Sequence, residues 1–199
     1  MARRGSGRLR VVAGRAGGRH LASLPGEATR PTTERVREAV FSSLGGETVD
    51  ARVLDLYAGT GAMAIEALSR GATTAVLVDH DRAAGEVCRR NLTTTGFADV
   101  GRVVETAVAA FLTLPAPAEA PFTIVTLDAP YAAPSDEVDA VLRALTAPGW
   151  LAPNATAVVE RGVRTPVDPV PPGWRLRFAR AYGDTLVTLL SAGESDPAP

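Results

Sequence analysis

The chain has 199 residues, 46% of them hydrophobic, with 21 Arg and Lys against 22 Asp and Glu and a formal net charge of −1. This length and apolar content build one sizeable core in a single domain. No apolar run approaches the roughly 20 residues of a bilayer span, Met1 to Arg10 is charged with no apolar segment behind it, and a lone Cys88 excludes an internal disulfide or a cysteine-rich metal site.

A soluble, cytoplasmic protein is the expectation. Its charge is unevenly placed. Residues 1–40 carry nine Arg and three Glu, a balance of +6, which leaves −7 for the rest, and every basic residue of the chain is Arg. A basic front end suits a polyanion, because guanidinium groups grip phosphate in a two-pronged fork; a solvated basic tail is the alternative for Arg3, Arg4 and Arg8.

Short strand-like pieces at Leu9 to Val12 and Arg19 to Leu21 flank the glycine-rich Gly14 to Gly18 and predict a hairpin. "RPTTERVREAVFSSLGG" reads as a helix opened by Thr32 or Thr33 and stopped at Gly45 and Gly46, with Val36, Val40, Phe41 and Leu44 on one face. Residues 1–50 therefore form a basic extension to a domain over 51–191, and 192–199 read as a disordered tail.

Strands and helices then alternate. Strands are expected at Arg52 to Leu56, Thr74 to Asp79, Gly101 to Glu105, from Phe122, and near Ala155 to Glu160. Helices are expected at Gly61 to Ser69, Arg82 to Thr95, around Ala107 to Leu112, and Ser135 to Leu145. Cys88 falls on the apolar side of its helix with Ala84 and Val87 and is expected to pack. Such alternation predicts a mostly parallel sheet covered on both faces. Arg175 to Ala181 and Thr185 to Leu190, separated only by Tyr182, Gly183 and Asp184, must instead pair as an antiparallel hairpin. The fold class expected is α/β, Rossmann-like, with a seven-stranded sheet.

Ligands of such sheets lie beyond the carboxyl ends of the strands, so the first strand-to-helix turn, "LDLYAGTGAMAIEALSRGA", is the place to look. Gly59 and Gly61 let backbone approach a ligand closely, and the helix after them aims its N-terminus at the same point. Gly59, Gly61 and Ala64 also fit the loose dinucleotide pattern. Asp55 decides between the two, since a carboxylate there repels a pyrophosphate and attracts a ligand carrying an ammonium and a sulfonium. S-adenosylmethionine is such a ligand. Asp79, ending the second strand, is placed to take both ribose hydroxyls, and Asp81 to cap the following helix. The cofactor set around this turn is Asp55, Tyr57, Ala58, Gly59, Thr60, Gly61, Asp79, His80 and Ala107. No metal is implied, because His20 and His80 are too few and too scattered.

The stretch "FTIVTLDAPY" ends an apolar strand in a carboxylate, a proline-stiffened turn and an aromatic ring. A base amino group is a poor nucleophile until acceptors hold its hydrogens and localise its lone pair. Asp128 and the carbonyl of Ala129 are such acceptors, and Tyr131 offers a face on which a base can stack.

Asp128, Ala129, Pro130 and Tyr131 resemble the D/N-P-P-Y/F signature of amino-methyltransferases. Together with "RPTTERVREAVF", the glycine turn and "YGDTLVTLL", they make residues from about Arg10 to Leu190 similar to the RsmD-type 16S rRNA guanine-N2 methyltransferases. The resemblance implies a methyltransferase fold using S-adenosylmethionine and one guanine of the small ribosomal subunit, or its assembly intermediate, as substrate. Arg10, Arg15, Arg19, His20, Arg30 and Arg35 are then candidates for holding rRNA while the base is flipped out, with Arg30, Arg35 and Arg37 alternatively paired to Glu34 or Glu38.

Two residues depart from the family pattern. Ala129 replaces a proline, although Pro130 still confines it to extended angles, and Ala107 stands where relatives carry an Asp or Asn for the adenine, leaving that contact to backbone or to Glu105. The other readings are an adenine-N6 or glutamine-N5 methyltransferase, a non-catalytic RNA-binding assembly factor on the same fold, and more distantly a dinucleotide oxidoreductase. A monomer is expected.

Overall fold

In the computed structural model, residues 9–24, 34–129, 135–167 and 169–193 are described. The α-helices among the described residues are α1 (Glu34–Leu44), α2 (Ala62–Ser69), α3 (Arg82–Thr95), α4 (Val108–Leu112) and α5 (Ser135–Leu145). Seven strands are β1 (Arg52–Leu56), β2 (Thr74–Asp79), β3 (Gly101–Glu105), β4 (Phe122–Leu127), β5 (Leu151–Gly162), β6 (Trp174–Tyr182) and β7 (Thr185–Ala192). They form one sheet in the order β3-β2-β1-β4-β5-β7-β6. The first five strands of that order run parallel and the last two pair antiparallel, as the run of alternating elements and the closing hairpin require. Among the described residues no helix is long and apolar enough to cross a membrane.

Alternation along each strand sends its side chains to two cores. Val53, Ala75, Leu77, Ile124 and Val158 pack under α1, α2 and α3, whereas Leu54, Leu56, Val76, Val125 and Val159 pack under α4 and α5. On the second face Trp150 meets Phe111 edge-on at 5.4 Å, and the Trp174 indole N–H donates to the Leu142 carbonyl at 2.8 Å.

Strand β5 starts earlier than expected, at Leu151, because the N–H of Phe122 at the head of β4 already pairs with the carbonyl of Trp150. β7 likewise runs on to Ala192, two residues past the apolar run, paired with Trp174. The expected N-terminal hairpin is present as a bridge between Arg10 and His20, with Val11 N–H donating to the Arg19 carbonyl, Gly18 N–H to that of Val11 and Leu21 N–H to that of Leu9.

What holds that hairpin is α2. Glu66, fully buried, accepts hydrogen bonds from the N–H groups of Val12 at 2.7 Å and Ala13 at 3.0 Å and pairs with Arg70. Ser69 accepts from Ala16 N–H and donates to the Ala13 carbonyl. Gly14 sits at φ +80° with the Ser69 carbonyl so close that an added Cβ would lie 1.9 Å from its oxygen. Leu9, Val11, Ala16 and Leu21 complete the docking by joining the core of β1 and α2. A carboxylate buried under two amides and a guanidinium holds only while all of them stay in place, so the basic hairpin is fixed directly over the helix that begins at the glycine turn.

Candidate active site

The turn between β1 and α2 is shaped by backbone in the left-handed region at three of five positions: Tyr57 at φ 59°, Gly59 at 53° and Gly61 at 74°. Glycine takes this conformation without strain, whereas a tyrosine costs on the order of 1 kcal/mol. The Tyr57 hydroxyl donates to Glu137 of α5 at 2.7 Å, which holds the ring against the second core. Burial and that carboxylate both push the phenol pKa up, so it stays a donor. A Cβ at Gly61 would lie 2.8 Å from Leu77 and 3.2 Å from the Cys88 sulfur. Cys88 does pack, as expected, and its thiol also donates to the Gly59 carbonyl at 3.2 Å. Burial raises the thiol pKa, so it remains protonated for this bond.

Asp55 lies inside the protein next to the end of β1. Its carboxylate accepts from the Thr126 hydroxyl of β4 at 2.6 Å and from the Ala64 N–H of α2 at 3.2 Å, so it ties two strands and the helix start together. Desolvation raises its pKa from 3.8 to about 7; the two hydrogen bonds oppose the rise, and the charges of Asp128 and Asp79 add to it. Asp79 ends β2 with one oxygen accepting from Gly59 N–H at 2.8 Å and the other from Asp81 N–H at 2.9 Å. Each carboxylate oxygen can accept a further hydrogen bond, and His80 Nδ1 lies 3.5 Å from the second. Asp81 caps α3 through Ala83 N–H, as its position implied.

One cleft gathers Asp55, Tyr57, Ala58, Gly59, Thr60 and Asp128, and with them Leu9, Ser23, Arg37, Ala62 and Met63. Asp128, exposed one residue past β4, is brought beside Asp55 because β1 and β4 are neighbours with Leu56 opposite Leu127. Ala129 is buried. Pro130 and Tyr131 lie outside the described residues, as does Arg30. Asp79 borders the cleft through Gly59, whereas His80 and Ala107 are exposed at the ends of β2 and α4 and do not line it. Glu105, the alternative to Ala107, is engaged by Arg89.

The N-terminal arginines are distributed differently from the expected helix pairs. Arg10, not Arg35 or Arg37, forms the ion pair with Glu34 at 3.0 Å, and Arg37 is buried, donating to the Arg10 carbonyl at 2.6 Å. Burial lowers the Arg37 pKa against the pull of Glu66, Glu34 and Glu160. Arg15 lies 4.4 Å over the Phe97 ring, and Arg19 donates to the Thr94 carbonyl, while His20 and Arg35 are exposed.

Sequence reasoning missed Thr126, Arg37, Ser23 and Asn91. Asn91 is buried in α3; its amide accepts from Ala22 N–H at 2.7 Å and donates to the carbonyls of Ala22 and Thr60. It thereby joins the N-terminal arm to the glycine turn. Only the spacing of Asn91 with Ala84 and Cys88, on the inner side of α3, hints at this.

The chain is similar to known proteins over most of its length. The chain is 37% identical over 195 residues to Ribosomal RNA small subunit methyltransferase D of Escherichia coli K12, covering 96% of each chain. It superposes on the putative methyltransferase yhhF of Escherichia coli with a TM-score of 0.83 at 35% identity, over 95% of this chain and 100% of that one. The RNA methyltransferase of Salinibacter ruber in complex with S-adenosylhomocysteine, 19% identical with a TM-score of 0.62 over 85% of this chain and 97% of that one, shares the fold. Residues 9–191 match the family described as Conserved hypothetical protein 95, and the chain belongs to that family.

Proposed function

We propose that this protein is an S-adenosylmethionine-dependent methyltransferase that places one methyl on the exocyclic N2 of a guanine in the 16S rRNA of the small ribosomal subunit. The observation that carries the reading is that Asp55 and Asp128, on neighbouring strands, open into one cleft with the glycine turn. The first relative's printed name supplies the small-subunit rRNA, residues 128–131 supply the amino-methyltransferase signature, and guanine N2 comes from the resemblance of residues from about Arg10 to Leu190 to the RsmD-type family.

The residues fit the cofactor's chemistry. Asp55 and Arg37 line the same cleft, one suited to the ammonium and the other to the carboxylate of an amino-acid moiety. Gly59 and Thr60 present backbone where a flat ligand must come close, and Asp79 keeps acceptors for vicinal hydroxyls. When bound there, S-adenosylmethionine supplies an electrophilic methyl group on its sulfonium. Asp128 and the Ala129 carbonyl hold the hydrogens of the base amino group, which localises its lone pair and aims it. Asp128 or water takes the proton that the amine sheds, so no strong base is required. The buried walls of the cleft, Leu9 and Met63 among them, keep competing water away.

The enzyme acts in the cytoplasm as a monomer, on the subunit or its assembly intermediate. The test is to incubate the purified protein with isotopically labelled S-adenosylmethionine and small subunits lacking the modification, then digest the rRNA to nucleosides. Label in 2-methylguanosine, lost with Asp128→Ala, is the expected result. Label in another nucleoside overturns the guanine assignment. Bound cofactor with no label transferred points to another substrate, and neither binding nor label to a non-catalytic RNA-binding factor.

A further inference from the structure

The carboxyl edge of the sheet carries more than the cleft. Because β7 runs antiparallel to β5 with Thr185 opposite Gly162, the turn between β6 and β7 lies on the same edge as Asp128. The Asp184 carbonyl accepts from Val163 N–H, which fixes that turn against the end of β5. Following the register from Leu127 through Val159 and Thr188 to Ala179 crosses three strand spacings, so Tyr182 lies about 16 Å from Asp128 along this rim.

A second concavity opens there between α1 and the hairpin, lined by Arg35, Val36, Arg180, Ala181, Tyr182 and Gly183. Arg180 lies over the half-buried Tyr182 ring at 5.8 Å. Beyond that contact, neither Arg35 nor Arg180 makes a hydrogen bond or ion pair among the described residues, whereas Arg10 and Arg19 are each already engaged. Arg164 adds a third exposed guanidinium just past β5. Two guanidinium groups beside an aromatic ring and a glycine, on a rim otherwise marked by the carboxylates of the cleft, match a single-stranded polyanion whose bases stack and whose phosphates need forks.

We infer that the concavity between α1 and the β6–β7 turn is a second RNA contact, in which Tyr182 stacks a nucleotide flanking the target and Arg35 and Arg180 hold its phosphates. Resting on the proposed RNA substrate, this inference gives the enzyme a grip on the strand away from the flipped base. It gives a role to the exposed Arg180 at the turn end of an edge strand.

The test measures methyl transfer to undermethylated small subunits with Arg180→Ala, Tyr182→Leu and the double variant, alongside S-adenosylhomocysteine affinity and thermal melting as checks on the fold. The expected result is a rise in KM for the subunit on the order of tenfold for each single variant, with S-adenosylhomocysteine affinity unchanged. For Arg180→Ala the slope of binding against log salt falls by about one. An unchanged KM and salt slope in folded, cofactor-binding variants overturns the RNA contact while the proposed function stands. A wild-type protein that methylates no RNA overturns both, and a KM effect confined to a protein-containing substrate, absent on naked rRNA, assigns the concavity to a ribosomal protein instead.

Discussion

Thr126→Val isolates the device that keeps a carboxylate usable inside the core. The Thr126 hydroxyl donates to Asp55 at 2.6 Å, and valine has nearly the same shape without the donor. A hydrogen bond to a charged group contributes about 1.5 to 3 kcal/mol, and each 1.4 kcal/mol displaces a titration by roughly one pH unit. Asp55 titrates at about 7 in the native fold, held up chiefly by desolvation. Losing the donor therefore moves it to roughly 8 to 9. The sign follows from which form binds. A cationic ligand prefers the carboxylate, so affinity is full above the titration and falls as pH drops through it. Near pH 7 the variant has only about 1 to 10% of its Asp55 ionised against about half in the wild type, a loss of roughly 5- to 50-fold in affinity that shrinks to about twofold or less by pH 9. Isothermal titration with S-adenosylmethionine from pH 6 to 9 measures it, and the ratio of the two proteins' affinities cancels the titration of the ligand itself. A ratio that stays constant over this range would refute the reasoning, since the carboxylate would then not be the group sensing pH.

Asp128→Ala removes the side-chain acceptor of the turn; methyl transfer falls on the order of 100-fold or more while S-adenosylhomocysteine affinity, read by calorimetry, stays within a few-fold. Asn91→Ala removes all three bonds joining Ala22 to Thr60, and chemical denaturation should show a loss of about 2 to 4 kcal/mol, with weaker cofactor binding as the turn loosens. Gly14→Ala forces a methyl against the Ser69 carbonyl from a left-handed backbone position, so limited proteolysis should cut the N-terminal arm in the variant and spare it in the wild type; equal protection would mean that the arm is not held by α2.

The sequence by itself determined the order and bounds of most elements. Thr74–Asp79 and Arg82–Thr95 are bounded by local chemistry: the continuous apolar run Ala75 to Val78 in the strand, and the Asp81 cap and closing Gly96 at φ 80° of the helix. These signals lie within a few residues of the features they specify. The glycine turn, Asp55 and Asp128 were legible for the same reason, since a carboxylate at the end of an apolar strand is conspicuous without any partner.

Only the tertiary structure decided what those carboxylates do. Thr126 sits inside an apolar strand and Asn91 among the polar residues of an amphipathic helix, and their roles depend on partners 71 and 69 residues away. Glu66 reads as an ordinary helix carboxylate, yet it is fully buried and clamps the N-terminal hairpin through two amides 54 and 53 residues distant. Arg37 and Arg35 are two residues apart on one helix, and burial alone sends the first into the cleft and leaves the second on the surface. Local periodicity fixes a residue's secondary structure, whereas desolvation and hydrogen-bond partners exist only once distant segments have packed, and it is these that set the charge state of Asp55 and the position of the basic arm.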